Sequence, residues 1–178
     1  MRRGAAAMGS ILFFVLAPGV FGALVPGWLT GGWQVRHPES YGPAPRVIGG
    51  VLVVAGTAVL LHAFARFVRE GLGTPAPVAP TERLVVGGLY QHVRNPMYLA
   101  VLAVIVGQAL LLAQPVLLAY AAVVALAFVV FVRAYEEPTL RRQHGARYEA
   151  YRRAVPGWWP RLRPWHPDED HDKHPDSH

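Results

Sequence analysis

Four apolar stretches, residues 5–28, 47–67, 97–113 and 115–134, each approach the roughly 20 residues that a helix needs to cross a bilayer. No other feature restricts the fold as much. Lipid offers no partner to backbone N–H and C=O groups, so a chain with several such stretches must place them in helices. The third and fourth are separated only by Ala113, Gln114 and Pro115, which makes them a helical hairpin. The composition agrees: 53% of residues are hydrophobic and only 16% charged, against roughly 25% charged in soluble domains. The expected fold is an all-α integral membrane protein of about four transmembrane helices, forming a single domain over 1–165 with a His- and Asp-rich tail at 166–178.

Charge sets the orientation. Of the 17 basic residues, only Arg36 and Arg46 lie between the first two stretches, and none lies in the hairpin turn. Lys and Arg accumulate on the cytoplasmic side. Both termini and the middle loop are therefore expected to be cytoplasmic, in a bacterial inner membrane. The basic residues sit at segment ends rather than on a repeating basic and aromatic face, so nucleic acid is not an expected partner. The absence of cysteine excludes disulfides, thiolate metal sites and a cysteine nucleophile. The four histidines of the tail lack a fixed ligand spacing, and no metal site is expected there.

The middle loop, "REGLGTPAPVAPTERLVVGG", contains Pro75, Pro77 and Pro80 and cannot be one helix. It is long enough to fold over a cytoplasmic site, with "ERLVV" as a short extended piece. The following "GGLYQHVRNPMY" ends in Asn95–Pro96, a helix N-cap followed by the residue best tolerated at the first helical position. Beyond the fourth stretch, "YEEPTLRRQHGARYEAYRRAVPGWWPRLRPW" places Leu140, Tyr148, Tyr151 and Val155 among arginines, the pattern of an amphipathic interfacial helix. Trp158, Trp159 and Trp165 are expected to anchor it, as Trp33 and Tyr41 are in the first loop.

Two polar clusters thus bracket the hairpin, one from Tyr90 to Tyr98 and one at Glu136–Glu137. A helix N-terminus favours an anion and a carboxylate pair favours a cation, which together suit a zwitterion.

At these motifs the chain resembles the isoprenylcysteine carboxyl methyltransferase family, particularly its short bacterial members, and more distantly the phospholipid methyltransferases. The resemblance spans about residues 73–160. It rests on "GTPAPVAPTERLVVGGLYQHVRNPMY", "EEPTL" and "HGARYEAYRRAVPGWWP" in that order. It implies an S-adenosyl-L-methionine-dependent methyltransferase with a cytoplasmic cofactor-binding loop and a lipophilic or prenylated substrate drawn from the bilayer. Carried over motif by motif, the implied cofactor-binding residues are Arg83, Leu84, Val85, Tyr90, Asn95, Pro96, Met97, Tyr98 and Glu136; the implied catalytic residues are Arg94, Tyr98 and Glu137. Eukaryotic members read "RHP" where this chain has Arg94–Asn95–Pro96, and asparagine keeps a hydrogen-bond donor and an acceptor at that position. A carboxylate acceptor needs no general base. For an amine or thiol acceptor, the candidates are Tyr98, His92, His144 and Glu137. Two other readings are a non-catalytic membrane scaffold and a nicotinamide-dependent membrane reductase; no G-x-G-x-x-G fingerprint supports the second.

Overall fold

The structure is a computed structural model that describes residues 18–36, 41–70, 84 and 86–166. Residues 5–17 of the first stretch, the Pro- and Gly-rich part of the middle loop with Arg83, Val85, and the tail from 167 lie outside the described residues. The described residues contain helices and turns and no strand. The helices are α1 (Val20–Leu29), α2 (Pro43–Glu70), α3 (Pro96–Leu112), α4 (Pro115–Phe131) and α5 (Glu137–Ala154). They fall into two compact units. One holds α1, α2 and nearly all of α3 and α4; the other holds Leu84–Pro96 and the chain from Phe131 onward.

Two helices are long and apolar enough to cross a membrane: α2 over Pro43–Ala63, and the helix that starts at Pro115. Their apolar side chains face outward, with Val54 70% and Leu126 66% exposed. A soluble core helix would bury such residues; a surface apolar along its length is one that meets lipid. α3 and α4 pack along Val101, Ile105, Ala109 and Leu112 on one side and Leu117, Ala121 and Val124 on the other, as the short turn between them requires. In that turn Ala113 takes a left-handed conformation, and the Gln114 N–H donates to the Ala109 carbonyl. The first loop satisfies two more carbonyls at the end of α3: the Tyr41 hydroxyl donates to Leu110 and the Arg36 N–H to Leu112. Tyr41 is thereby bound to α3. Trp33 is as well, its Nε1–H donating to Gln108 Oε1 at 3.2 Å.

α2 and α3 run antiparallel at backbone contact. A Cβ at Gly49 would lie 2.6 Å from the Gly107 carbonyl oxygen, one at Gly56 2.8 Å from that of Ala100, and one at Gly107 2.8 Å from that of Gly49. Apolar helices in lipid gain little by hiding apolar surface from each other, so close approach through small residues supplies the contact. Gly107→Val should therefore lower stability by at least the about 1–3 kcal/mol typical of overpacking, because the opposing atoms are backbone and cannot rotate away. A Cβ at Gly50 would meet nothing within 4 Å among the described residues, and Gly50→Val is the matched control. Thermal unfolding of the two variants in detergent checks this, and equal midpoints would contradict it.

Proline shapes the helices twice in the same way. In α1 the turn Val20–Leu24 widens into a π-helix, with the Val25 N–H donating to the Val20 carbonyl. Pro26 follows and has no N–H for the carbonyls of Phe21 or Gly22. Those two accept instead from the Tyr120 hydroxyl at 3.1 Å and from Gln108 Nε2 at 2.6 Å. The second instance is Val132–Glu136, a π turn with Pro138 six residues after its first residue, as Pro26 is after Val20.

The second unit has its own core of Tyr148, Tyr151, Val155 and Trp165, with Leu84, Val86 and Leu140 packed against it. This corrects two expectations. The apolar face of α5 is occupied by protein, and Trp165 is buried in that core rather than available to the membrane interface. Sequence periodicity identifies a face but not what covers it.

Candidate functional site

In the second unit, Gly88 adopts a left-handed conformation (φ 60°) and starts a 3₁₀ turn, Gly88–Gln91. Its carbonyl at Tyr90 accepts the Tyr151 hydroxyl at 2.7 Å. The chain beyond is held against the stretch that follows α5 by three backbone bonds. The Arg94 N–H donates to Pro156, the Arg161 N–H to His92 and the Trp165 N–H to Gln91, at 3.0, 2.9 and 3.1 Å. His92 Nδ1 adds a 2.8 Å contact to the Arg161 carbonyl.

This pairing turns the Arg94 side chain toward α5. Its Nε donates to the Val155 carbonyl at 3.0 Å, and its Nη1 donates to Glu137 Oε1 at 2.8 Å and to the Tyr148 hydroxyl at 3.1 Å. The other Glu137 oxygen lies 3.6 Å from Arg152 Nε. Arg94 and Glu137, both expected to be catalytic, are therefore brought together as an ion pair. The motif before α3, the acidic pair and the Tyr-rich helix converge on one guanidinium. Burial raises the pKa of Tyr148 and Tyr151. Both phenols stay protonated at neutral pH. Glu136 contributes slightly to the rise at both. Burial, with Arg147 as a smaller cause, lowers the pKa of His144, whose Nε2 has no hydrogen-bond partner among the described residues.

Beside the guanidinium two donors meet the backbone of Gly157 at close range. The side chain of Asn95 is almost wholly buried, the residue being 6% exposed, and its Nδ2 finds no acceptor among the described residues. A Cβ built on Gly157 would have as its nearest neighbours Arg94 Nη2 at 3.1 Å, Asn95 Nδ2 at 3.5 Å and Arg94 Cζ at 3.7 Å. Glycine at 157 thus lets the backbone lie against a point where two N–H-bearing groups converge. Such a pair of donors is suited to an anionic oxygen, since leaving a buried donor unpaired costs about 1–3 kcal/mol.

The remaining expected residues are placed as follows. Pro96 is buried and opens α3, while Met97 and Tyr98 are half-buried on that helix in the first unit. The Tyr98 ring packs on Phe128 with centroids 4.7 Å apart. Leu84 packs into the core of the second unit; Tyr90 is half-buried and offers its carbonyl to Tyr151. Glu136 is half-buried at the end of the π turn that Pro138 imposes, a type of irregularity common at functional sites. Arg83 and Val85 lie outside the described residues.

Sequence reasoning missed Tyr148, Tyr151, Arg152 and Gly157 as parts of this arrangement. A signal existed, because positions 137, 148 and 151 repeat at 11 and then 3 residues and so share one helical face. That register is interrupted at Gly145, which adopts φ 49° and ψ −125°, a conformation open essentially to glycine alone.

A family model described as phospholipid methyltransferase matches residues 44–147, more than half of the chain. Comparison with curated proteins gave no match, and comparison with solved structures gave none.

Proposed function

The chain belongs to the phospholipid methyltransferase family, whose members are membrane methyltransferases, and we propose that it transfers a methyl group from S-adenosylmethionine to a lipophilic acceptor at the cytoplasmic face of the bilayer. In this reading α1 and α3 join the two longer helices as spans. The 17 residues of α3 are at the lower limit for crossing.

The observation that supports the reading is the pair of donors beside Gly157, one of them an Asn95 Nδ2 with no acceptor among the described residues. Arg94 Nη2 and the unpartnered Asn95 Nδ2 fit the carboxylate of the cofactor, and Glu136 fits its ammonium group or ribose hydroxyls. When bound, the cofactor supplies an electrophilic methyl group whose sulfur loses its positive charge on transfer. The residues of this chain would hold and align it, exclude water, and fix Arg94 through Glu137 and Tyr148 so that the two donors stay in place. The cluster adds no strong nucleophile, and an in-line displacement needs none from the protein.

The acceptor follows from two sources. The motif resemblance favours the carboxylate of an isoprenylcysteine or related isoprenoid, which needs no proton removed. The family match favours the amine headgroup of a phospholipid, which must be deprotonated first, and His144 with its lowered pKa is a group that stays neutral for that task. The purified full chain should bind S-adenosylhomocysteine in calorimetry. It should also transfer labelled methyl groups to a lipid extract, where alkali releases a methyl ester as methanol but leaves an N-methyl product intact. Absence of both binding and transfer would leave the non-catalytic scaffold as the better account.

A further inference from the structure

The apolar face of α5 is filled from within the second unit, so any membrane contact of that unit must come from elsewhere on its surface. The loop 156–164 offers such a contact. Leu162 is 98% exposed and Trp159 80% exposed, although the loop itself is firmly held. The Arg161 N–H donates to His92, its carbonyl contacts His92 Nδ1, and its Nη1 donates to the Ala154 carbonyl at the end of α5, while Trp165 is buried just beyond. A fixed loop that keeps two large apolar side chains in the open has not merely failed to fold them away. Arg163, next to Leu162 in the chain, is exposed, as is Arg153 near the end of α5, and residues 150–166 include no Asp or Glu. The α2 and α4 helices of the same chain bring a bilayer with them.

We propose that loop 156–164 docks on the anionic surface of the bilayer that the chain spans, Trp159 and Leu162 entering the interface while Arg153 and Arg163 meet lipid phosphates. Tryptophan is suited to this depth because its ring is amphipathic, and arginine buries its stem while its head stays among phosphates. Charge complementarity selects an anionic lipid surface over a neutral one. The loop lies beyond residue 147, where the family match ends, so this contact does not rest on the methyltransferase reading.

The chain has no cysteine, which makes the test direct. Leu162→Cys and, separately, Trp159→Cys are labelled with a nitrobenzoxadiazole fluorophore in the full chain. Each is reconstituted in phosphatidylcholine vesicles with or without phosphatidylglycerol. Gln143→Cys, at an exposed position on α5, is the control. At 162 and 159 the emission should shift to the blue, and quenching by lipid-borne nitroxide should exceed that at 143 severalfold. Phosphatidylglycerol should increase the quenching, and Arg163→Gln should remove most of that increase. Water-like emission without lipid quenching at both positions would overturn the proposal. So would a blue shift that disappears on diluting the protein within the bilayer, which would assign the loop to a second copy of the chain.

Discussion

Glu137→Leu should destabilise the protein by about 3 kcal/mol, and adding Arg94→Met to it should recover much of the loss. The Arg94 and Glu137 side chains are only 14% and 15% exposed, and they share a 2.8 Å ion pair. With the carboxylate gone, a largely desolvated guanidinium keeps its charge with the Val155 carbonyl and the Tyr148 hydroxyl as the remaining partners of its Nε and Nη1 among the described residues. Arg152, at 3.6 Å and more exposed, loses little by comparison. Removing both charges leaves apolar groups of similar size in place, often a nearly neutral change for a buried pair. Denaturant unfolding of the two single variants and the double variant in detergent gives the coupling as a double-mutant cycle. Single variants that remain as stable as the parent and lose only turnover would make Glu137 a catalytic group; the geometry makes it the positioning partner of Arg94.

The helix limits show what the sequence discloses and why. Pro96 and Pro115 begin helices where they were expected to, because a proline at the first helical position marks a boundary through its missing N–H and fixed φ. Pro43 and Pro45 follow the same rule, yet α2 starts four residues before the apolar run does, since hydropathy marks the lipid and not the helix. Pro26 and Pro138 act differently. Each lies within helical chain and widens the preceding turn, and the carbonyls left behind by Pro26 are satisfied by Gln108 and Tyr120, far away in sequence. Nothing local reveals those partners.

The site divides along the same line. Arg94, Asn95, Glu136 and Glu137 could be selected because their residue types and spacing carry chemistry. Their relation to each other could not. An arginine at a membrane boundary satisfies the topology rule whether or not it is paired, and a tyrosine on an amphipathic helix counts as apolar whether it meets lipid or a guanidinium. Gly157 was the least legible. Its contribution is an absent Cβ beside Arg94 and Asn95, which only the pairing of 91–94 with 156–165 discloses.

Asn95→Asp should weaken S-adenosylhomocysteine binding by about 100-fold or more, while Asn95→Ser should weaken it far less. Aspartate and asparagine are equally good N-caps and serine is nearly their equal, so the start of α3 should survive in both variants. Aspartate nevertheless replaces the Nδ2 donor with an acceptor and adds a negative charge where the carboxylate of the ligand is proposed to lie. Loss of one hydrogen bond to a charged group costs about 1.5–3 kcal/mol, and repulsion adds to it; 1.4 kcal/mol is roughly tenfold in affinity. Gly157→Ala perturbs the same two donors from the facing backbone. The glycine has no left-handed φ to preserve, and its new Cβ would stand 3.1 Å from Arg94 Nη2, so a stable protein with about tenfold weaker binding is expected. Calorimetry with S-adenosylhomocysteine, paired with thermal unfolding of the same samples, separates the roles of this residue. If Asp and Ser variants bind equally at equal stability, Asn95 is a helix cap alone and the anion must be held elsewhere. If Asp fails, Ser binds and Gly157→Ala lies between them, the three results locate the ligand carboxylate at the meeting point of Arg94, Asn95 and Gly157.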